Sequence, residues 1–246
     1  MKKVFFAILL FVSSLAYAAD VDFAILTDTH IGRDGADAKL RKAIQSINAD
    51  PDIDFILVLG DISDHGTVEE LTYAREILSE LDKPYYFTTG NHDARWPERR
   101  EAFREVFRKD RFCFRAGGVK FIGFSTGPFE TIKRASVRES DLKWIRKKSR
   151  GNSPVVVAVH YPPDLVYNKE AVSAAFEGSD IILWLAGHLR FNKVRGEDPY
   201  PSIINVSTLE QGSYNKIRLS DSDARFFIVT PEDGKETLWY GTEIRR

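Results

Sequence analysis

The sequence holds one cysteine and one methionine among 246 residues. A single cysteine excludes an intrachain disulfide. Cys113 lies in the alternating segment Arg111-Phe112-Cys113-Phe114-Arg115 and reads as a small core side chain. An excess of one charge is also missing, since 35 basic residues face 36 acidic ones. That balance argues against nucleic acid as a partner and against an acidic tail. There is no internal repeat, no low-complexity tract and no evident interdomain linker. The 43% hydrophobic content is that of an ordinary globular chain, enough for a substantial core and one domain.

Long apolar runs are scarce as well. The mostly apolar stretch Val4 to Leu15 is too short to span a bilayer, which takes about 20 residues. It follows Lys2 and Lys3 and precedes Ala16-Tyr17-Ala18, a small-x-small cleavage pattern. Residues 1–18 are therefore expected to be an export signal, and the mature domain to run over 19–246. No cysteine follows the apolar stretch to receive a lipid. A periplasmic or secreted protein, not a lipoprotein, is expected, with no transmembrane span after cleavage.

What is present is an alternation of strand and helix patterns. Val21 to Thr27 is strand-like. Ala36 to Ala49 has helical spacing through Leu40, Ile44 and Ile47, and Asp50-Pro51 stops it. Phe55 to Leu59 is an unbroken apolar run, as for a strand buried on both faces. Val68 to Leu81 is helical again, and Tyr85 to Thr88 is a short strand. This order predicts an α/β fold with a largely parallel first sheet. Phe112 to Arg115 and Val119 to Ser125, joined at Gly117-Gly118, predict a hairpin. Leu142 to Lys148 belongs to a helix, and Val155 to Val159 and Ile181 to Ala186 are further buried strands. After Pro201 the pattern turns to β, at Ser202 to Ser207, Lys216 to Leu219, Arg225 to Val229 and Thr237 to Tyr240. One domain with two sheets is the economical reading.

Several of these strands end in groups able to bind a metal. Asp28 and His30 follow the first strand and, two residues apart, project to one side. Asp61 follows the second, behind Gly60, whose missing side chain lets backbone approach a crowded centre. Asn91 offers an amide oxygen, and His160 and His188 offer imidazoles. Ligands at the carboxyl ends of neighbouring strands converge in one crevice. Mixed nitrogen and oxygen donors without thiolate suit Mn, Fe, Zn or Co. So many histidines do not suit a dedicated Mg or Ca cage.

The succession Asp28-x-His30, Gly60-Asp61-x-x-Asp64, Gly90-Asn91-His92-Asp93, His160 and Gly187-His188 resembles the calcineurin-like metallophosphoesterases. The resemblance covers about Val21 to Asn205. It implies a four-layer sandwich of two mixed β-sheets packed face to face and flanked by helices. It also implies a metal-dependent phosphoesterase that hydrolyses phosphate mono- or diesters by attack of a metal-activated water. Asp28, His30 and Asp61 would hold a first metal. Asp61 would bridge to a second, completed by Asn91, His160 and His188. Two metals about 3.5–4 Å apart lower the pKa of a shared water and clamp the phosphoryl oxygens. His92 would stabilise the transition-state charge or protonate the leaving oxygen, and Asp93 would orient that ring. The substrate would be a phosphate-ester small molecule or headgroup, chosen by loops that leave no motif.

The family pattern has histidine where this chain has Arg190. A guanidinium has donors and no acceptor, so it cannot ligate a cation. Three outcomes follow: a first metal with an extra water, one metal with Arg190 facing substrate phosphate, or a binding module without catalysis. Retained hydrolysis is the expected outcome, because Asp28, His30, His92 and Asp93 remain. His65 reads as a loop-surface residue. The arginines between Arg95 and Arg111, interleaved with Glu98, Glu101 and Glu105, read as a solvated helix face or the rim of an anionic-substrate site. Arg138 to Arg150 also reads as a solvated basic helix face. Trp96, Phe129 and Tyr161 are candidates for pocket lining or core.

Overall fold

Alternate residues of the central strands enter different cores, and this alternation sets the layers. The computed structural model describes residues 20–127, 134–197, 200–206 and 208–244. The expected export signal and Phe129 lie outside the described residues. In β1 (Val21–Leu26), Val21, Phe23 and Ile25 join one core while Ala24 and Leu26 join another. β2 (Phe55–Leu59) repeats this, with Phe55, Leu57 and Leu59 opposed to Ile56 and Val58. Both faces are buried, so no polar alternation marks these strands.

The first sheet is completed by β3 (Tyr85–Thr88). The second is built from β4 (Phe112–Ala116), β5 (Val119–Gly123), β6 (Val155–Val159), β7 (Ile181–Ala186), β8 (Lys193–Glu197) and β9 (Tyr200–Asn205). The chain then returns to the first sheet as β10 (Tyr214–Leu219), β11 (Asp223–Thr230) and β12 (Lys235–Glu243). The two six-stranded sheets run β12-β11-β10-β1-β2-β3 and β4-β5-β6-β7-β9-β8. Strands β1, β2 and β3 are parallel to one another, as are β5, β6, β7 and β9, with antiparallel neighbours outside them.

Phe23, Ile25 and Leu57 of the first sheet pack against Phe121, Val156, Leu185 and Ile204 of the second. Phe55 stacks on Phe23 with ring centroids 5.2 Å apart and meets Phe121 edge-on at 5.0 Å. Aromatic pairs of this kind add about 0.5–1.5 kcal/mol each beyond the area they bury. The outer face of the first sheet is covered by α1 (Ala36–Ala49), α2 (Val68–Leu78) and, beyond the four-residue α3 (Asn91–Ala94), α4 (Pro97–Phe107). The outer face of the second is covered by α5 (Glu139–Ser149) and α6 (Lys169–Ala175). The result is the four-layer sandwich of two mixed sheets expected above.

The hairpin of β4 and β5 turns at Gly117 and Gly118, both at positive φ (52° and 76°), as a two-residue turn between twisted strands requires. α2 stops at Leu78 and not at Leu81, because Glu80 and Leu81 N–H donate to the carbonyls three residues back, Ile77 and Leu78, at 3.0 and 3.2 Å, and the last turn leaves α geometry. β8 and α6 left no periodic signal. β8 is an edge strand with one large apolar residue, Val194, and α6 is only seven residues long. Cys113 sits half-buried in β4 and unpaired, and burial pushes its thiol pKa up. The Arg138 to Arg150 segment is α5 with its cap, where Arg138 pairs with both Asp110 and Asp141.

Candidate metal centre

Five parallel strands deliver the motif residues to one place. Asp28 and His30 follow β1, Asp61 and Asp64 follow β2, and Asn91 to Asp93 form α3 after β3. His160 follows β6, and His188 and Arg190 follow β7. The first two loops are laced together by backbone. Asp28 N–H donates to the Gly60 carbonyl and His30 N–H to the Asp61 carbonyl, each at 3.0 Å. Asp28, His30, Asp61, His188 and Arg190 all lie at positive φ, between 46° and 67°. Non-glycine residues rarely adopt that region, and such strain collects at functional sites. Gly60 and Gly90 make the close approach possible. A Cβ on Gly60 would stand 2.5 Å from the Gly90 nitrogen, and one on Gly90 would collide with the Asp61 carboxylate.

One group of donors fits a divalent cation. Asp61, His160 and His188 each bring a ligand atom to within 4.8 Å of the others. His160 is fully buried, its Nδ1 2.7 Å from the Leu59 carbonyl oxygen. That bond makes Nδ1 the protonated nitrogen and turns Nε2, 3.3 Å from Asp61 Oδ2, toward the centre. The His188 ring lies 4.0 Å from that of Tyr161 and 5.1 Å from that of His160. Asn91 Oδ1 and Asp28 Oδ1 are buried with no hydrogen-bond partner. Buried acceptors left so cost about 1–3 kcal/mol each, and a cation would satisfy them.

The electrostatics agree with that chemistry at two of the rings, His188 and His30. Burial lowers the pKa of His188 to about 3 and of His30 to about 4, keeping both rings in the neutral, ligating form. Burial also opposes charge on Asp61, yet His160, His92 and His30 hold its carboxyl well below the usual range. His160 is buried too, but Asp61 and then Asp28 raise it to about 9. Burial pushes Asp28 up to about 6.

The donors expected for a first metal are arranged differently. His30, Asp61 and His92 bring ligand atoms within 4.8 Å of one another, and His30 Nε2 lies 3.8 Å from Asp28 Oδ1. The same Nε2 faces Arg190 Nη2 at 3.4 Å. Arg190 Nη1 in turn pairs with Glu210 Oε2 at 2.9 Å. Arg190 therefore reaches the first-metal side of the centre, with part of its guanidinium already committed.

Asp93 requires a correction. Its Oδ2 accepts from Ile62 N–H at 3.1 Å and Gly90 N–H at 2.9 Å, and its Oδ1 from Ser63 N–H at 2.9 Å and the Ser63 hydroxyl at 3.0 Å. This carboxylate clamps the second and third loops together instead of orienting His92. The His92 ring is held at Nδ1 by the Asp64 carbonyl oxygen, 2.7 Å away. Asp64, quoted in the motif but not assigned a role, is the residue that sequence reasoning missed. Its Oδ1 lies 3.2 Å from His30 Nδ1 and 2.7 Å from Arg33 Nε. A carboxylate behind a ligating histidine is the usual device for fixing ring orientation. The second carboxylate of Gly60-Asp61-Ile62-Ser63-Asp64 was the available signal.

The remaining candidates fall on either side of the centre. Tyr161 is fully buried and braces His188. His65 is exposed and pairs with Glu70 through Nδ1 at 2.8 Å. Arg99 donates to the His92 carbonyl at 3.0 Å, so one arginine of the α4 segment does abut the site. Trp96 is exposed at the start of α4, with the Arg95 guanidinium 4.8 Å above its ring.

Known proteins share both the sequence and the fold. "Probable glycerophosphodiester phosphodiesterase GpdQ" of Arcobacter nitrofigilis is 29% identical over 157 residues, 56% of this chain and 56% of that protein. A "Probable cyclic nucleotide phosphodiesterase" of Rhodopseudomonas palustris is 35% identical over 162 residues, 57% of each. The chain thus spans little more than half the length of these curated relatives. A dimetal phosphatase from Danio rerio superimposes with a TM-score of 0.66 at 14% identity, over 92% of this chain and 99% of that one. Purple acid phosphatase PPD1 from yellow lupin gives 0.64 at 14% identity, over 92% and 54%. At such identities the likeness concerns the fold alone. The calcineurin-like phosphoesterase model matches residues 21–189, ending one position before Arg190. That match takes in well over half of the sequence, and the chain belongs to the calcineurin-like phosphoesterase family.

Proposed function

We propose that this protein is an exported, metal-dependent phosphoesterase acting on phosphodiesters of small molecules or headgroups. The observation that carries the reading is the convergence of Asp61, His160 and His188, with His160 Nε2 turned toward Asp61 and Asn91 Oδ1 buried without a partner. A divalent cation there, Mn, Fe, Zn or Co by the donor chemistry, would activate water and polarise a phosphoryl oxygen. His92 has Nδ1 committed to the Asp64 carbonyl, so Nε2 is the ring atom left to exchange a proton with the leaving oxygen. Arg190 keeps donors beyond its bond to Glu210, enough to hold a phosphoryl oxygen. The preference for diesters draws on the two relatives named as phosphodiesterases. Export rests on the pattern of residues 1–18. Among the described residues no helix is long and apolar enough to cross a membrane.

The test is hydrolysis of bis(p-nitrophenyl) phosphate, p-nitrophenyl phosphate, glycerophosphodiesters and cyclic nucleotides after chelation and addition of each metal in turn. Diester turnover that disappears with chelator and returns with metal is expected. A mature mass beginning at Ala19 is the expected sign of export. A second reading, a phosphate-binding module without catalysis, draws on the Arg190 guanidinium facing His30. Metal binding without turnover on any of these substrates would favour it.

A further inference from the structure

Arg190 belongs to a closed ring of polar contacts. Its Nη1 lies 2.9 Å from Glu210 Oε2. Glu210 Oε1 lies 2.7 Å from Arg33 Nη1, and Arg33 Nε lies 2.7 Å from Asp64 Oδ1. The same Asp64 oxygen is 3.2 Å from His30 Nδ1, and His30 Nε2 returns to Arg190 Nη2 at 3.4 Å. Two guanidinium groups and two carboxylates thus alternate around the ring, and His30 closes it.

The ring is anchored in the fold. Glu210 sits in a short 3-10 turn, Leu209–Gln211, whose Leu209 N–H donates to the Thr27 carbonyl at 3.1 Å, directly after β1. Its own carbonyl accepts from Lys39 Nζ at 2.7 Å, which ties the turn to α1. Arg33 is fixed between two acidic partners, and Arg190 leaves its loop at φ 59°, beside His188 at 67°. Glu210 therefore holds Arg190 at a set distance from His30.

We propose that the Arg190 guanidinium is a built-in cation that takes the place of the first metal, leaving a centre for one divalent ion on Asp61, Asn91, His160 and His188. The inference rests on the metallophosphoesterase reading of the site. His30 Nε2, the donor the first metal would require, already faces an N–H of Arg190. A dication placed there would stand against a fixed positive charge and would have to break the bond to Glu210 to displace it. The guanidinium keeps positive charge on that side of the centre and has no acceptor with which to ligate.

Mn(II) titration of the chelator-treated protein, read by metal analysis and by electron paramagnetic resonance, tests this without reference to turnover. The unaltered protein is expected to bind one equivalent, with a mononuclear spectrum and no measurable second equivalent. Arg190→His, which restores the family's ligand, is expected to bind two, with an exchange-coupled signal. Arg190→Met and Glu210→Gln separate charge from ligation. Each is expected to bind a second ion more tightly than the unaltered protein and less tightly than Arg190→His. Two equivalents with a coupled spectrum in the unaltered protein overturn the proposal, as does a single equivalent in all three Arg190 and Glu210 variants. Diester hydrolysis is measured in parallel. An unaltered protein that holds two ions and hydrolyses refutes the one-metal centre and keeps the hydrolase. One that holds one ion and hydrolyses nothing refutes the hydrolase and keeps the one-metal centre.

Discussion

His92 Nδ1 lies 2.7 Å from the Asp64 carbonyl oxygen, while the carboxylate of Asp93, the next residue in sequence, is filled by Gly90 N–H of its own loop and by backbone and hydroxyl donors of Ile62 and Ser63 in the neighbouring one. The two neighbours in the Gly90-Asn91-His92-Asp93 motif thus have separate surroundings, loop assembly for Asp93 and, for His92, the Nε2 to which we assign the proposed proton exchange. Their variants are expected to fail in different ways. His92→Ala is expected to lower kcat roughly 10²–10⁴-fold, the ordinary contribution of a general acid. Metal content and thermal unfolding should stay near those of the unaltered protein, since His92 is not among the four residues assigned to the ion. A loss of bound metal as large as the loss of rate would make His92 a ligand instead.

Asp93→Asn is expected to act on stability. Each carboxylate oxygen accepts two hydrogen bonds, so an amide nitrogen at either place would face N–H donors. Bonds to a charged acceptor contribute about 1.5–3 kcal/mol, and a chain of this size loses roughly 2–4 °C of Tm per kcal/mol. A Tm lower by on the order of 5–10 °C is expected, with kcat of the folded fraction changed far less than by His92→Ala. Unchanged melting together with a collapse of kcat would return Asp93 to a catalytic role.

Much of this arrangement is visible in the chain itself. The layers follow from period: Leu40, Ile44 and Ile47 fall on one face of α1, and the unbroken run Phe55 to Leu59 marks a strand buried on both sides. The candidate ligands are legible because each stands just after a strand. The ring around Arg190 is not legible, for a physical reason. Arg33 and Glu210 are 177 positions apart and lie in a loop and a short turn, where no periodicity predicts which side chains meet. Asp93 misleads for a related cause. Next to a histidine it looks like an orienting carboxylate, yet at the third position of α3 it accepts from the Gly90 nitrogen and reaches the neighbouring loop. The positive φ of Arg190 has no local sign either, as arginine carries no preference for that region.

The close approach of the second and third loops predicts a large effect from one methyl group. Gly60 has φ 78°, and a Cβ there would meet the Gly90 nitrogen at 2.5 Å and the Thr89 carbonyl carbon at 2.8 Å. Both contacts are backbone, so no side chain can swing aside. Gly60→Ala is expected to cost more than about 2 kcal/mol through strain and overpacking. Because Asp61 follows directly, metal affinity should fall with it. Urea unfolding and metal titration measure the two effects. An alanine variant as stable and as tightly metal-binding as the parent would show that the loops have room to part.

Lys216 sets a pH dependence remote from the metal centre. Its side chain is 1% exposed, with Nζ 2.6 Å from Asp50 Oδ2 and 3.0 Å from Glu236 Oε1. Burial alone would lower its pKa, but the bonds to Asp50 and Glu236 raise it above its ordinary value of 10.5. A lysine whose folded pKa exceeds its unfolded pKa stabilises the fold fully below the unfolded value and loses that contribution as pH rises through the folded one. Urea midpoints are therefore expected to hold up to about pH 10 and to fall above 10.5 on account of this group. Lys216→Met leaves Asp50 and Glu236 without their shared cation and is expected to cost roughly 3 kcal/mol at neutral pH. The difference between variant and parent should then narrow as the solution becomes alkaline, because the parent loses by deprotonation what the variant lacks throughout. A difference that stays constant from pH 8 to pH 12 would mean that Lys216 acts through its packed methylenes and not through its charge.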